Sequence, residues 1–159
     1  MRIPLRRGGR ARGQSLVEFA LVIPIIAFLI FGVLDVGVAV YRYNTLSEAA
    51  RQANRMAIVN QDVASIQDEA VAFAPALNLD AGNDVDVCFH AHDQVAAACP
   101  GADTCSPAAM GCLAYVNVET TYSPITPLIG NFIGTIPLRA TSVGPIEYAC
   151  HAGTTPSCP

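Results

Sequence analysis

Residues 12–55 read RGQSLVEFALVIPIIAFLIFGVLDVGVAVYRYNTLSEAARQANR, and the fold is decided in this stretch. From Phe19 to Leu34 sixteen residues pass without a charge, interrupted only by Pro24 and Gly32. Continued through Asp35 to Tyr41 the run is 23 residues long, about the length needed to cross a hydrocarbon core of ~30 Å at ~1.5 Å per residue. A single carboxylate, Glu18, stands in its first turns. An ionised side chain at the centre of a membrane helix costs roughly 2.5–3.5 kcal/mol, and less near the interface, so Glu18 points to a role beyond anchoring. Pro24 removes one backbone hydrogen bond and is expected to kink or locally melt the helix.

Beyond Tyr41 the pattern becomes amphipathic. Leu46, Ala49, Ala50, Ala53 and Ala57 fall on one helical face, whereas Glu48, Arg51, Gln52 and Arg55 fall largely on the others. Neither Gly nor Pro separates the two patterns. One helix is therefore expected from about Ser15 to about Asn60, roughly 65–70 Å long, half in lipid and half an amphipathic stalk that packs on its own head. An ordinary secretory signal has a shorter apolar run of about 7–15 residues before a small-residue cleavage site. Gly37-Val38-Ala39 would serve as such a site, but that alternative leaves Glu18 and the amphipathic continuation unexplained.

Charge sets the expected topology. Arg2, Arg6, Arg7, Arg10 and Arg12 precede the apolar run with no acid among them, and from Met56 onward ten acids face one base, Arg139. Positive flanks stay cytoplasmic, so the expected arrangement is N-in and C-out with one crossing. The acidic remainder argues against nucleic acid as a partner, because phosphate binding needs clustered bases. All six cysteines, Cys88, Cys99, Cys105, Cys112, Cys150 and Cys158, lie on the exported side. An even count there reads as disulfides, and local loops such as Cys99–Cys105 within Cys88–Cys112, and Cys150–Cys158, are the simplest pairing.

Ile58 to Phe73 continues loosely helical, with Val63, Ile66, Ala70 and Phe73 on one face, and Pro75 closes it. Three stretches then alternate as half-buried strands: Asp84–Ala91, Tyr115–Tyr122 and Ile136–Val143. Residues 99–112 (CPGADTCSPAAMGC) hold too much Gly, Pro and Ala for regular structure and are expected to form a loop. The expected fold class is α+β: a long N-terminal transmembrane and stalk helix followed by a small antiparallel-sheet head of three or four strands linked by disulfides. The expected segments are a basic leader at 1–13, a transmembrane helix at 14–41, an amphipathic helical stalk at 42–75 and an extracytoplasmic β-rich head at 76–159.

Gly13 followed by Gln14-Ser15-Leu16-Val17-Glu18-Phe19 resembles the processing site of type IV pilin-like proteins, with a basic leader ending in Gly and Glu at the fifth mature position. The longer string G-x-x-x-V-E-F-A-L-V-I-P, followed by Gly32, Asp35 and L-x-x-A-A-R-x-A-x-R ending at Arg55, resembles the TadE-like family of minor pseudopilins from tight-adherence (Flp-type) pilus machines. The strand, Pro-containing loop and strand over residues 115–141 resemble that family more loosely. Flp pilins usually carry Tyr after the Glu and end soon after the helix; here Phe19 follows and a further hundred or so residues continue. The resemblance implies a structural protein rather than an enzyme, cut between Gly13 and Gln14 by a membrane prepilin peptidase. It also implies that Glu18 sets subunit register by pairing with a mature amino terminus. The implied partners are other pilin or pseudopilin subunits, the Tad machinery and the membrane, with no cofactor.

Other chemistry is weakly signalled. Cys88, His90 and His92 with Cys99 and Cys105 would be a zinc set, but no C-x2-C pair is present and exported cysteines are usually oxidised. His90 and His92 are expected at the surface. Asp80, Asn83, Asp84 and Asp86 lack the spacing of a calcium-binding EF-hand loop and read as a solvated turn before a strand. The alternative to a pilus component is a membrane-tethered extracytoplasmic binding module, with the helix serving only as anchor. The topology is directly testable: a reporter fused after Pro159 is expected to be active only outside the cytoplasm, and cytoplasmic activity overturns the N-in, C-out arrangement.

Overall fold

The computed structural model describes residues 11–92, 99 and 103–149; the basic residues Arg2 to Arg10 and the cysteines Cys150 and Cys158 lie outside them. Helix α1 (Ala11–Ala57) is a continuous element of 47 residues, about 70 Å long at ~1.5 Å per residue. It remains helical through Pro24, so the local melting expected there does not occur and the loss is confined to the bond the Pro ring nitrogen cannot donate.

The helix stops short of the expected Asn60, and the stalk is not one piece. The Ile58 carbonyl accepts from the backbone N–H groups of Glu147 and Tyr148, at 3.0 and 3.2 Å, instead of continuing the helical ladder. Asn60 Oδ1 then accepts from the Asp62 N–H at 3.0 Å, and Asp62 caps α2 (Val63–Phe73) by accepting from the Ser65 N–H. An Asx residue at this position satisfies one of the four free N–H groups of a helix start. Ile66 and Ala70 of α2 are buried as their spacing predicts, whereas Val63 and Phe73 are exposed.

A 3-10 turn (Pro75–Leu77) and a short helix α3 (Ala81–Asp84) lead into the sheet. Asp80 caps α3 by accepting from Gly82 and Asn83, and Asp84 accepts from the Asp80 N–H. The acidic cluster is thus the solvated turn that its spacing suggests. Strands β1 (Val85–His90), β2 (Leu113–Tyr122) and β3 (Ile136–Pro145) form an antiparallel sheet in the order β1-β2-β3. Val85 pairs with Val118, and Glu119 with Arg139. The connection between β2 and β3 contains a helix not anticipated from the prolines, α4 (Pro127–Ile133), with Pro127 in its first turn where a missing N–H costs nothing.

The central strand β2 is buried on both faces. One face, with Ala114, Val116 and Val118, packs on Leu46, Ala49, Ala50, Ala53 and Ala57 of α1, all of them buried as their period requires. The other face, with Leu113 and Tyr115, packs on Cys88 beneath the Cys99 end of the loop. The disulfides join Cys88 to Cys99 and Cys105 to Cys112, which corrects the nested pairing expected from spacing. Both bridges close short loops, but strand register places Cys88 opposite Tyr115 on the outer face and brings the loop over it. The loop also covers the edge of β1: Phe89 donates to Asp103 Oδ1 at 2.8 Å, and its carbonyl accepts from Thr104 and Cys105. A covered edge cannot template pairing with another chain.

His90 is a second correction. It is buried, edge-on to the Tyr115 ring with Nδ1 3.3 Å from Thr104 Oγ1, and only His92 is exposed. On the solvent side of β2–β3, the Arg139 guanidinium and then the Asn117 amide hold the Glu119 carboxyl below its ordinary range. This contribution is complete above the usual carboxylate range and fades as pH falls through the lowered value. With both side chains partly exposed it is worth at most about 1 kcal/mol.

Helix and sheet approach closely at one point. With its amide oriented to suit its neighbours, Asn54 donates to the Ala114 carbonyl and accepts from the Gly144 N–H, each at 3.1 Å. Gly144 is required there, because a Cβ would lie 2.8 Å from the Asn54 amide and 3.1 Å from Ile58. Asn54→Ala is expected to lower stability by about 1–3 kcal/mol, since it strands a buried carbonyl and an N–H. Thermal unfolding of the detergent-solubilised protein checks this, and an unchanged midpoint overturns the role given to Asn54.

Candidate functional site

The N-terminal half of α1 stands clear of the head except where α4 lies beside Phe28 and Gly32. From Gly13 to Leu34 every side chain is exposed except the half-buried Ala27 and Gly32. Leu16, Phe19, Ile23, Ile26, Leu29 and Ile30 point to different sides of the helix, so the rod is apolar all round. A soluble monomer rarely exposes so large a continuous apolar surface, and a helix hydrophobic on every side needs lipid or other helices around it. By length and composition this helix can cross a membrane. Gly13, Gln14 and Glu18 all lie on this free half, exposed, and none of them touches the head. Among the described residues nothing pairs with the Glu18 carboxylate, and the space beside Gly13 is open.

The free half ends at Asp35, which is only 5% exposed. Its Oδ1 accepts from the Ile125 N–H at 2.9 Å and from the Tyr122 hydroxyl at 3.4 Å; its Oδ2 accepts from the Thr126 N–H at 3.3 Å. The Tyr122 hydroxyl also donates to the Asp35 backbone carbonyl at 3.0 Å. Two turns further along α1, Arg42 lays its guanidinium over the Tyr122 ring, 5.4 Å from the centroid, a placement that stabilises the cation on an aromatic face. Burial first, and then the Asp35 charge, raise the Tyr122 hydroxyl above its ordinary pKa. The last residue of β2 and the approach to α4 are thereby bolted to the helix where its exposed apolar half gives way to its packed half. The residue signals were present in the sequence, a lone Asp in an apolar run and a Tyr ending a strand, but 87 residues separate the pair.

The possible zinc set does not form. Cys88, Cys99 and Cys105 are engaged in disulfides, and among the described residues no group of three His, Cys, Asp or Glu side chains is placed to hold a metal.

An exposed apolar helix from Gly13, an acid near its start and a second acid at the head junction are the features that family comparison can test. Residues 13–55 match the family model of TadE-like proteins. No curated protein and no solved structure matches the chain. The TadE-like segment takes in the free half of α1, Asp35 and the small-residue face with Asn54, and it ends before α2 and the sheet. The match points to a role related to the Tad pilus.

Asp35 is the TadE-like residue whose contacts the structure fixes most fully. Asp35→Ala removes the acceptor for two backbone N–H groups and is expected to cost about 1.5–3 kcal/mol, the range for hydrogen bonds to a charged group. Asp35→Asn keeps the Oδ1 bonds but turns an NH2 toward the Thr126 N–H, so it should recover only part of the loss. Hydrogen exchange at Ile125 and Thr126 reports the effect, and protection equal to wild type in Asp35→Ala overturns the assignment.

Proposed function

We propose that this chain is a structural minor pseudopilin, an assembly component of a Tad (Flp-type) pilus or a related secretion machine. One observation carries the reading: half of a 47-residue helix is apolar on every side and free of the head, with a lone carboxylate near its start. The match of residues 13–55, which include this half, to TadE-like proteins supports it. The helix crosses the membrane once over residues 14–41, with the Arg-rich flank cytoplasmic and the disulfide-bonded head outside.

A prepilin peptidase cuts after Gly13. Gly lowers helix stability by about 1 kcal/mol relative to Ala, so the first turns of α1 unwind cheaply into the extended form a protease requires. The cut creates an ammonium at Gln14, and Glu18 lies within reach of it or of the same group on a neighbouring subunit. Opposite charges in low dielectric offset part of each other's desolvation and fix one register between subunits, as a single buried polar pair does in coiled coils.

Gly13→Leu is expected to leave the leader attached and block assembly, while membrane insertion proceeds. Glu18→Leu is expected to be cut and inserted like wild type, yet to lose co-purification with the other pilus components. Sequencing the mature amino terminus and co-purification of both variants test this. A mature start at Met1, or one beyond Ala39, favours an extracytoplasmic binding module instead, and normal assembly of Glu18→Leu removes the register role.

A further inference from the structure

The connection between β2 and β3 reaches back along α1 toward the residues assigned to the membrane. Ile129 of α4 lies so close to the helix that a Cβ on Gly32 would sit 3.9 Å from its Cδ1. Phe28, Gly32 and Val36 of α1 line one cleft with Pro124, Ile129 and Ile133. The Asp35 bonds to Ile125 and Thr126 fix the segment at this level. Gly32 is 14 residues beyond Glu18, or about 21 Å along a helix rising ~1.5 Å per residue. With Glu18 near the inner boundary of a ~30 Å hydrocarbon core, α4 lies within the outer leaflet.

The side chains at this level agree. Ile125, Phe132 and Ile133 are 70%, 86% and 62% exposed. From Thr120 to Leu138 the chain carries no charge, and Asn131 is the one polar side chain of α4. Among the described residues the only acid at this depth, Asp35, is buried and accepts from Tyr122, Ile125 and Thr126. A carboxylate shielded in this way, beside large apolar side chains left bare, suits hydrocarbon and not water.

We propose that α4 with Ile125 is a second membrane contact: a short re-entrant wedge seated in the acyl chains of the outer leaflet beside α1, which holds the head at a fixed tilt on the bilayer. The inference rests on the spanning role of residues 14–41. The bare apolar surface of α4 is continuous with that of the free half of α1, so both meet the same medium, which is lipid rather than a second copy of the chain.

The protein contains no Trp, so single substitutions give unambiguous fluorescence reporters. Phe132→Trp probes α4, and Ile26→Trp, on a different side of α1 from Gly32, probes the span. The full-length variants are reconstituted in phosphatidylcholine vesicles with bromine high or low on the acyl chains. Phe132→Trp is expected to show blue-shifted emission and to lose most of its intensity to bromine placed high on the chain. Ile26→Trp is expected to respond more strongly to bromine placed low. If Phe132→Trp emits as in water and is quenched by acrylamide while Ile26→Trp responds to bromolipid, the wedge is wrong and the span stands. If neither responds to bromolipid, the span itself fails. Blue-shifted Phe132→Trp emission that ignores bromolipid and weakens on dilution with lipid places a second copy on α4 and also overturns the proposal.

Discussion

Close approach between the second half of α1 and the sheet is the constraint on which the rest of the molecule depends. Ala49, Ala50, Ala53 and Ala57 offer little side-chain bulk, so the helix backbone comes down onto Ala114, Val116 and Val118 of the central strand. At this spacing Asn54 reaches across to two backbone groups, and a glycine is needed at 144. Small residues bury little area each, roughly 25 cal/mol per Å2 of apolar surface. The interface is therefore held by complementarity and by the Asn54 bracket as much as by apolar area.

Surroundings change along the same helix, and Asp35 marks where the head begins to pack on it. Between Phe19 and Leu34 the side chains are apolar and mostly exposed; beyond Asp35 exposed apolar residues continue to Tyr43, and from Leu46 one face is packed while Glu48, Arg51 and Arg55 lie on the others. An acid at such a boundary is costly unless its lone pairs are used, and Tyr122, Ile125 and Thr126 use them. Arg42 over the Tyr122 ring fastens the same corner from the head side. A head fixed to its helix in this way is held to it at a defined angle.

The disulfide loop has a different task. It covers the outer face of a three-stranded sheet too small to be sealed by a second layer of helices, and it closes the β1 edge through Asp103, Thr104 and Cys105. Small exported domains use bridges where their cores are thin. The TadE-like match ends at Arg55, before any of this begins.

Local physics was enough for much of this. An unbroken apolar run marked the rod, and period marked the buried stripe from Leu46 to Ala57 and the three strands, because helix and strand faces repeat within a few residues. The isolation of Glu18 was also legible, since only neighbouring residues define it. What depended on contacts distant in sequence was not. The break after Ala57 follows from Glu147 and Tyr148 competing for the Ile58 carbonyl. The burial of His90 and the pairing of Cys88 with Cys99 depend on sheet register, which places Cys88 on the outer face opposite Tyr115, where the loop brings Cys99 over it. The partners of Asp35 come from a strand end and a short helix far along the chain. Sequence by itself determined which segments must be apolar, helical or extended; only the tertiary structure decided which polar groups meet, because hydrogen bonds need partners within about 3 Å, and the chain brings those partners together only by folding.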